Sequence, residues 1–200
     1  MDGLKQGLRR GDALIVVDVQ CDFLPGGALG VPEGHLVVDV LNRYMQLFDA
    51  AELPIVLTRD WHPVEHCSFA SQGGPWPPHC MAGSEGAEFA PSLRVPDSAQ
   101  VISKATSAGE DAYSGFQGTR LAELLREQGI RRLFIGGLAT DYCVLATVQD
   151  ALKEGFEVLL LTDAIRAVNL HPGDGERAVK AMREAGARTV SLADFHEGAS

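Results

Sequence analysis

Four short apolar runs, each with an aspartate or a glycine pair at or next to its end, constrain this chain more than anything else in it. They are ALIVVDV (13–19), PIVLTRD (54–60), RLFIGG (132–137) and EVLLLTD (157–163). Runs of this length without polar alternation match strands covered on both faces, as in parallel sheets flanked by helices. Two weaker runs, QVISKA (100–105) and ARTVSLA (187–193), complete a set of six. Between the runs lie stretches with helical spacing. Leu36, Val37, Val40, Leu41, Tyr44, Leu47 and Phe48 mark one over 36–51, and Leu121, Leu124 and Leu125 mark another over 118–128. A third opens near Thr140-Asp141, and a fourth covers about 174–185. Strands alternating with helices at this spacing specify βαβ units. The expected fold is α/β: a doubly wound, mostly parallel six-stranded sheet with helices on both faces, in three layers.

Composition sets the class of partner. The chain of 200 residues carries a net charge of −10, which argues against nucleic acid or an anionic membrane, since both select clustered Lys and Arg. A small-molecule substrate is expected instead. No run reaches the roughly 18 apolar residues of a membrane span, and MDGLKQGLRRGD lacks the apolar stretch of a secretory signal. The cytoplasm is the expected compartment. One domain is expected over 1–200, its core at about 13–193, because no linker or repeat interrupts the pattern. The tail DFHEGAS (194–200) reads as frayed. Exposed helix faces on such a sheet leave room for a homo-oligomer, without singling out a face. Cys21, Cys67, Cys80 and Cys143 form no CxxC pair and read as free thiols. No GxGxxG or P-loop run signals a bound nucleotide.

In an open parallel sheet, ligands bind beyond the carboxyl ends of the strands, near the point where strand order reverses. Asp18, Asp60, Lys104 and the turn from Gly136 to Cys143 all fall at such ends, on four different strands. Singly, each has a mild explanation: an aspartate there is often a turn or cap residue, a lysine a solvated edge charge, a cysteine a small buried hydrophobe. Jointly they form a coherent set for acyl transfer from an amide. Cys143 sits at a helix start whose unpaired N–H groups favour a thiolate. Asp18 could take its proton and return it to a leaving amine, while the Lys104 ammonium stabilises both anions. Backbone N–H groups of Ala139 and Cys143 would face the oxyanion.

A second cluster lies in the irregular segment 61–98, which is dense in Pro, Gly, Ser and His. Asp60, His62 and His79 offer one hard oxygen and two imidazoles, a set that suits one divalent ion: zinc, manganese or iron. Solvated surface histidines are the competing explanation, and nearby His66 shows that not every histidine here need be a ligand.

Several stretches resemble the cysteine hydrolase family that contains isochorismatases and nicotinamidases: VDVQCDFLPGGAL (17–29), TRDWHPVEHCSFAS (58–71), WPPHC (76–80), SKA (103–105), DAYSGFQGT (111–119) and GGLATDYCV (136–144). The resemblance runs from about Ala13 to Val190 and is strongest to the nicotinamidase branch. It implies an isochorismatase-like fold, a catalytic triad of Asp18, Lys104 and Cys143, and a cis peptide between Leu138 and Ala139 at the oxyanion hole. It also implies a divalent metal on Asp60, His62 and His79, zinc first, that binds a pyridine nitrogen. Phe23, Trp76 and Tyr113 match aromatic walls of the substrate pocket, with ordinary core packing as the alternative. The implied activity is hydrolysis of nicotinamide, and of pyrazinamide, to acid and ammonia through a Cys143 thioester, in NAD salvage. An N-carbamoyl or ureidoacrylate amidase on the same triad, or a non-catalytic binding protein on the same fold, are the alternatives.

Overall fold

The computed structural model describes residues 7–195. Its strands are β1 (Asp12–Val17), β2 (Ile55–Asp60), β3 (Gln100–Lys104), β4 (Arg132–Leu138), β5 (Glu157–Arg166) and β6 (Arg188–Val190). They form one sheet in the order β3-β2-β1-β4-β5-β6, and every pairing is parallel. The expected sheet is therefore present, with no antiparallel strand in it. The order reverses between β1 and β4, so the crevice for a ligand should open at the carboxyl ends of those two strands.

Side chains of β1 alternate between two cores, which is why its sequence is apolar throughout. Leu14 and Val16 point into one core, where α1 (Leu36–Ala50) contributes Val37, Leu41, Tyr44 and Phe48. Ala13, Ile15 and Val17 point into the other. There α2 (Leu121–Glu127), α3 (Leu145–Lys153) and α4 (Asp174–Glu184) add Leu121, Leu125, Val148, Ala151, Ala178 and Met182. The one-against-three split follows from right-handed crossovers: the chain moves one way from β1 to β2 and the other way from β3 onward. Burying each large aliphatic or aromatic side chain contributes about 1.5–3 kcal/mol. At the opposite end of the sheet from the crevice, Arg132 grips Asp12 through two hydrogen bonds of 2.7 and 2.6 Å, fixing β4 against β1 at their first residues.

Three local expectations change. β5 does not stop at Asp163 but continues to Arg166, because a register shift between Ile135 and Gly137 lets it pair again beside Gly137 and Leu138. β6 is only three residues long. The tail is not frayed at its start: Ser191 and Asp194 form a reciprocal capping box, and the Phe195 ring packs 5.6 Å from Tyr44 and 5.7 Å from Phe134. Residues 1–6 and the remainder of the tail, 196–200, lie outside the described residues. Among the described residues, no helix is long and apolar enough to cross a membrane.

Candidate active site

The crevice is built by the four adjacent strands β3-β2-β1-β4. Lys104 ends β3 and stands directly beside Asp60, its register partner at the end of β2. Asp18 follows β1 in a left-handed conformation, φ 47°, which turns its side chain off the strand line. Cys143 lies in a tight π turn, Thr140–Val144, between β4 and α3. β4 approaches β1 so closely that a Cβ on Gly137 would meet the Val17 carbonyl oxygen at 2.1 Å. The glycine pair read from the sequence is thus a packing requirement as well as a break. The peptide between Leu138 and Ala139 is cis, as the resemblance implied.

Asp18, Lys104 and Cys143 converge, and all are buried. Lys104 Nζ lies 3.0 Å from Asp18 Oδ2 and 3.7 Å from Cys143 Sγ. It also donates to Asp60 Oδ1 and, at 3.1 Å, to the Ala112 carbonyl. Asp18 Oδ1 accepts from Thr58 Oγ1 at 2.7 Å. Asp18 Oδ2, by contrast, makes an ion pair but accepts no hydrogen bond of good angle among the described residues. An oxygen of Asp18, one of Asp60 and the Cys143 sulfur all lie within 4.8 Å of one another.

These contacts set the charges. Burial would lower Lys104, but the Asp18 and Asp60 carboxylates outweigh it and hold the ammonium well above its ordinary range. Burial raises Asp18 against the pull of Lys104, making it a stronger base than an exposed aspartate. Burial likewise raises Cys143 well above an ordinary thiol, again against Lys104. Burial thus opposes the helix end and the ammonium, which both favour a thiolate.

Asp60, His62 and His79 are also brought together, their donor atoms within 4.8 Å of one another and all three buried. They are not solvated surface histidines. His62 Nδ1 meets the His79 carbonyl at 3.0 Å, and His79 Nδ1 meets the Pro77 carbonyl at 2.8 Å. A carbonyl only accepts, so each ring presents an Nδ1 proton to it, and the neutral tautomer with that proton has its lone pair on Nε2. Burial pushes His62 down to about 4, so that imidazole is neutral at pH 7. One carboxylate and two such nitrogens fit a divalent metal. His66 does not join them in this arrangement. Its Nδ1 faces Ser68 Oγ at 2.7 Å and its Nε2 the Glu110 carbonyl at 3.1 Å, while its ring stacks 4.2 Å from His62. Phe69, fully buried, packs against all three imidazoles.

A cavity of about 310 Å³ opens beside the two clusters, which meet at Asp60. Its wall includes every aromatic singled out in the sequence, Phe23, Trp76 and Tyr113, together with Ala139, Cys143, Asp60 and His79. Trp76 donates through Nε1 to the Tyr113 hydroxyl at 2.9 Å, locking two of these walls together. His62 stands behind this wall. Sequence reasoning did not place Ala28, Leu29, Gly30, Val31, Tyr142, Val168 and Leu170 in the pocket wall; they complete the lining. It also missed Gln20, whose side chain donates to the Asp60 and Ala87 carbonyls and accepts from the Asp60 N–H, fixing that carboxylate's backbone. Asp22 ties the loop bearing Phe23 to the histidine loop by accepting from Cys80 N at 2.7 Å. No local pattern marks these residues; only Gln20, two positions from Asp18, carried a hint. The four cysteines are free thiols, as expected.

Residues 12–194 match the isochorismatase domain family. The chain is 42% identical over 206 residues to a nicotinamidase of Escherichia coli (strain K12), covering 92% of this chain and 97% of the relative. Among solved structures, it resembles a pyrazinamidase of Pyrococcus horikoshii in complex with zinc, at 50% identity and TM-score 0.88, covering 91% of this chain and 99% of the other. It also resembles PnC1 from L. infantum in complex with nicotinate, at 38% identity and TM-score 0.86, covering 94% and 96%.

Proposed function

The chain belongs to the isochorismatase domain family, and from that premise we propose that it is a nicotinamidase, hydrolysing nicotinamide to nicotinate and ammonia for NAD salvage, and pyrazinamide likewise. The observation that carries this reading is the pairing, at one apolar cavity, of a buried thiol beside a carboxylate with an oxygen free to accept and of a carboxylate–imidazole cluster. A flat pyridine carboxamide has one reactive end and one ring nitrogen, and the cavity offers a partner for each. The nicotinamidase from Escherichia coli and the zinc-bound and nicotinate-bound structures support the same substrate class.

Asp60, His62 and His79 would hold one divalent ion, with zinc first and manganese or iron as alternatives. Bound there, such an ion would supply Lewis acidity toward a ring nitrogen and so help orient the substrate. The chemistry belongs to the chain's own residues. Asp18 Oδ2 takes the Cys143 proton as sulfur attacks the amide carbon, and Lys104 offsets the negative charge that passes from carboxylate to thiolate. The Ala139 and Cys143 amides receive the oxyanion. Asp18 returns the proton to nitrogen, the C–N bond breaks, and ammonia leaves a thioester on Cys143. Water then attacks that carbon with Asp18 as base, and the C–S bond breaks to release nicotinate and restore the thiol. Phe23, Trp76 and Tyr113 hold the ring and exclude bulk water.

The test is ammonia release from nicotinamide and from pyrazinamide by the purified chain supplied with each metal in turn. Turnover of both supports the reading. No ammonia from either, with Cys143 shown to be reduced, overturns it.

A further inference from the structure

We propose that Asp141 is a positioning residue: it latches the 167–170 loop to the nucleophile's own turn, and so sets how tightly an aromatic carboxamide is held and how bulky its ring edge can be. This inference rests on the reading of the cavity as a pyridine carboxamide site. Asp141 lies two residues before Cys143, in the same π turn. Its Oδ1 accepts from Val168 N at 2.9 Å and its Oδ2 from Asn169 N at 2.8 Å. Both oxygens of one carboxylate are thus spent on two consecutive amides of a loop more than twenty residues away in sequence.

The loop is fastened from its other side as well. Asn169 adopts a left-handed conformation, φ 54°, and its Oδ1 accepts from Gly175 N at 2.8 Å, in the first turn of α4. A Cβ on Gly175 would come within 2.6 Å of the Ala167 Cβ, so α4 can approach the loop this closely only with glycine there. Between these fastenings the loop presents Val168 and Leu170 to the cavity. Leu170 is 58% exposed at the rim; the core does not hold it, so its place depends on the backbone that Asp141 fixes. Asp141 is therefore the side chain that ties this apolar wall to the turn carrying the sulfur. A loosened wall would leave the bond-making groups in place but hold the ring less firmly, which is a loss of uniform binding rather than of transition-state stabilisation.

The test compares wild type with Asp141→Asn, which keeps the size but turns one acceptor into a donor against a backbone N–H, and with Leu170→Ala, which trims the wall and leaves the latch alone. For each, kcat and KM are measured for nicotinamide and for a ring-alkylated nicotinamide, alongside amide hydrogen exchange of Val168 and Asn169. In Asp141→Asn, KM for nicotinamide should rise about tenfold with kcat changed less than about threefold. Exchange at both amides should accelerate, and the kcat/KM ratio should shift toward the alkylated amide. Leu170→Ala should shift that ratio in the same direction without faster exchange. A lower melting temperature with KM, ratio and exchange unchanged would mean a purely structural role and overturn the proposal, as would a fall in kcat at constant KM. If Asp141→Asn does not fold, an unshifted ratio in Leu170→Ala overturns it alone. If wild type releases no ammonia, the nicotinamide reading fails; the latch is then judged by exchange, and unchanged protection in Asp141→Asn overturns it.

Discussion

The ammonium of Lys104 lies 3.7 Å from the sulfur of Cys143, and burial still pushes that thiol up. The opposing cation is itself shared between Asp18 and Asp60. In the proposed mechanism Asp18 takes the proton as the substrate reacts, and a standing thiolate is not required. Alkylation of Cys143 by iodoacetamide should be slow at neutral pH and still be rising at pH 9, near which an ordinary thiol titrates. The sign follows from burial favouring the protonated form. By the same linkage, the folded state binds this proton more tightly than the unfolded state. The resulting stabilisation is present below the unfolded pKa and is lost as pH rises past it. A rate that levels off below pH 7 would show a preformed thiolate instead.

Asp18 is the proposed base, so Asp18→Asn should lower kcat for nicotinamide by about 10²–10⁴-fold while the dissociation constant for nicotinate changes little. The conservative change keeps an acceptor for Thr58 and removes the basic oxygen beside Lys104. Steady-state kinetics and a binding titration separate the two effects. A variant with near-normal kcat would remove Asp18 from the mechanism.

Lys104 should matter to stability as well as to chemistry. Replacing it with alanine leaves Asp18 and Asp60 buried without their shared cation, and breaking a buried pair from one side costs about 3–5 kcal/mol. Urea denaturation of Lys104→Ala measures the loss. Adding Asp60→Asn should recover part of it, since one stranded charge is removed. An undiminished midpoint would mean that the carboxylates are not held as anions by this lysine.

The metal assignment rests on two imidazoles with Nε2 open. His62→Ala and His79→Ala should each lose bound divalent metal on dialysis, with ammonia release falling in step. Gln20→Ala keeps all three ligands but releases the backbone of Asp60. It should weaken metal affinity by about 10–100-fold, as loss of an outer hydrogen-bond partner typically does. Full turnover by His79→Ala containing no metal would refute the assignment.

Much of this arrangement is legible in the sequence because the sheet announces itself. Asp18, Asp60 and Lys104 fall at strand ends that unbroken apolar runs make easy to find, and a parallel sheet gathers strand ends at one edge. The Gly136-Gly137 pair and Cys143 are legible for the same reason. What escaped depends on contacts between distant loops, which leave no period behind. Gln20 reaches across to Asp60, Asp22 to Cys80, and Asp141 to Val168 and Asn169. The length of β5 was misread because TDAIR is too polar to look like a strand until the register shift beside Ile135 is seen. At Cys143, local sequence reports a helix end but not the burial that pushes its thiol up.

The central claim is that amide hydrolysis passes through an acyl group on Cys143. The most direct measurement is intact-protein mass spectrometry after rapid acid quenching of the metal-loaded chain mixed with excess nicotinamide, with peptide mapping to locate any adduct. The account predicts a gain equal to one nicotinoyl group, on Cys143 alone, formed together with the first equivalent of ammonia and absent from Cys143→Ala, which should fall in turnover by at least about 10³-fold. Sustained ammonia release by Cys143→Ala at near the wild-type rate would contradict it.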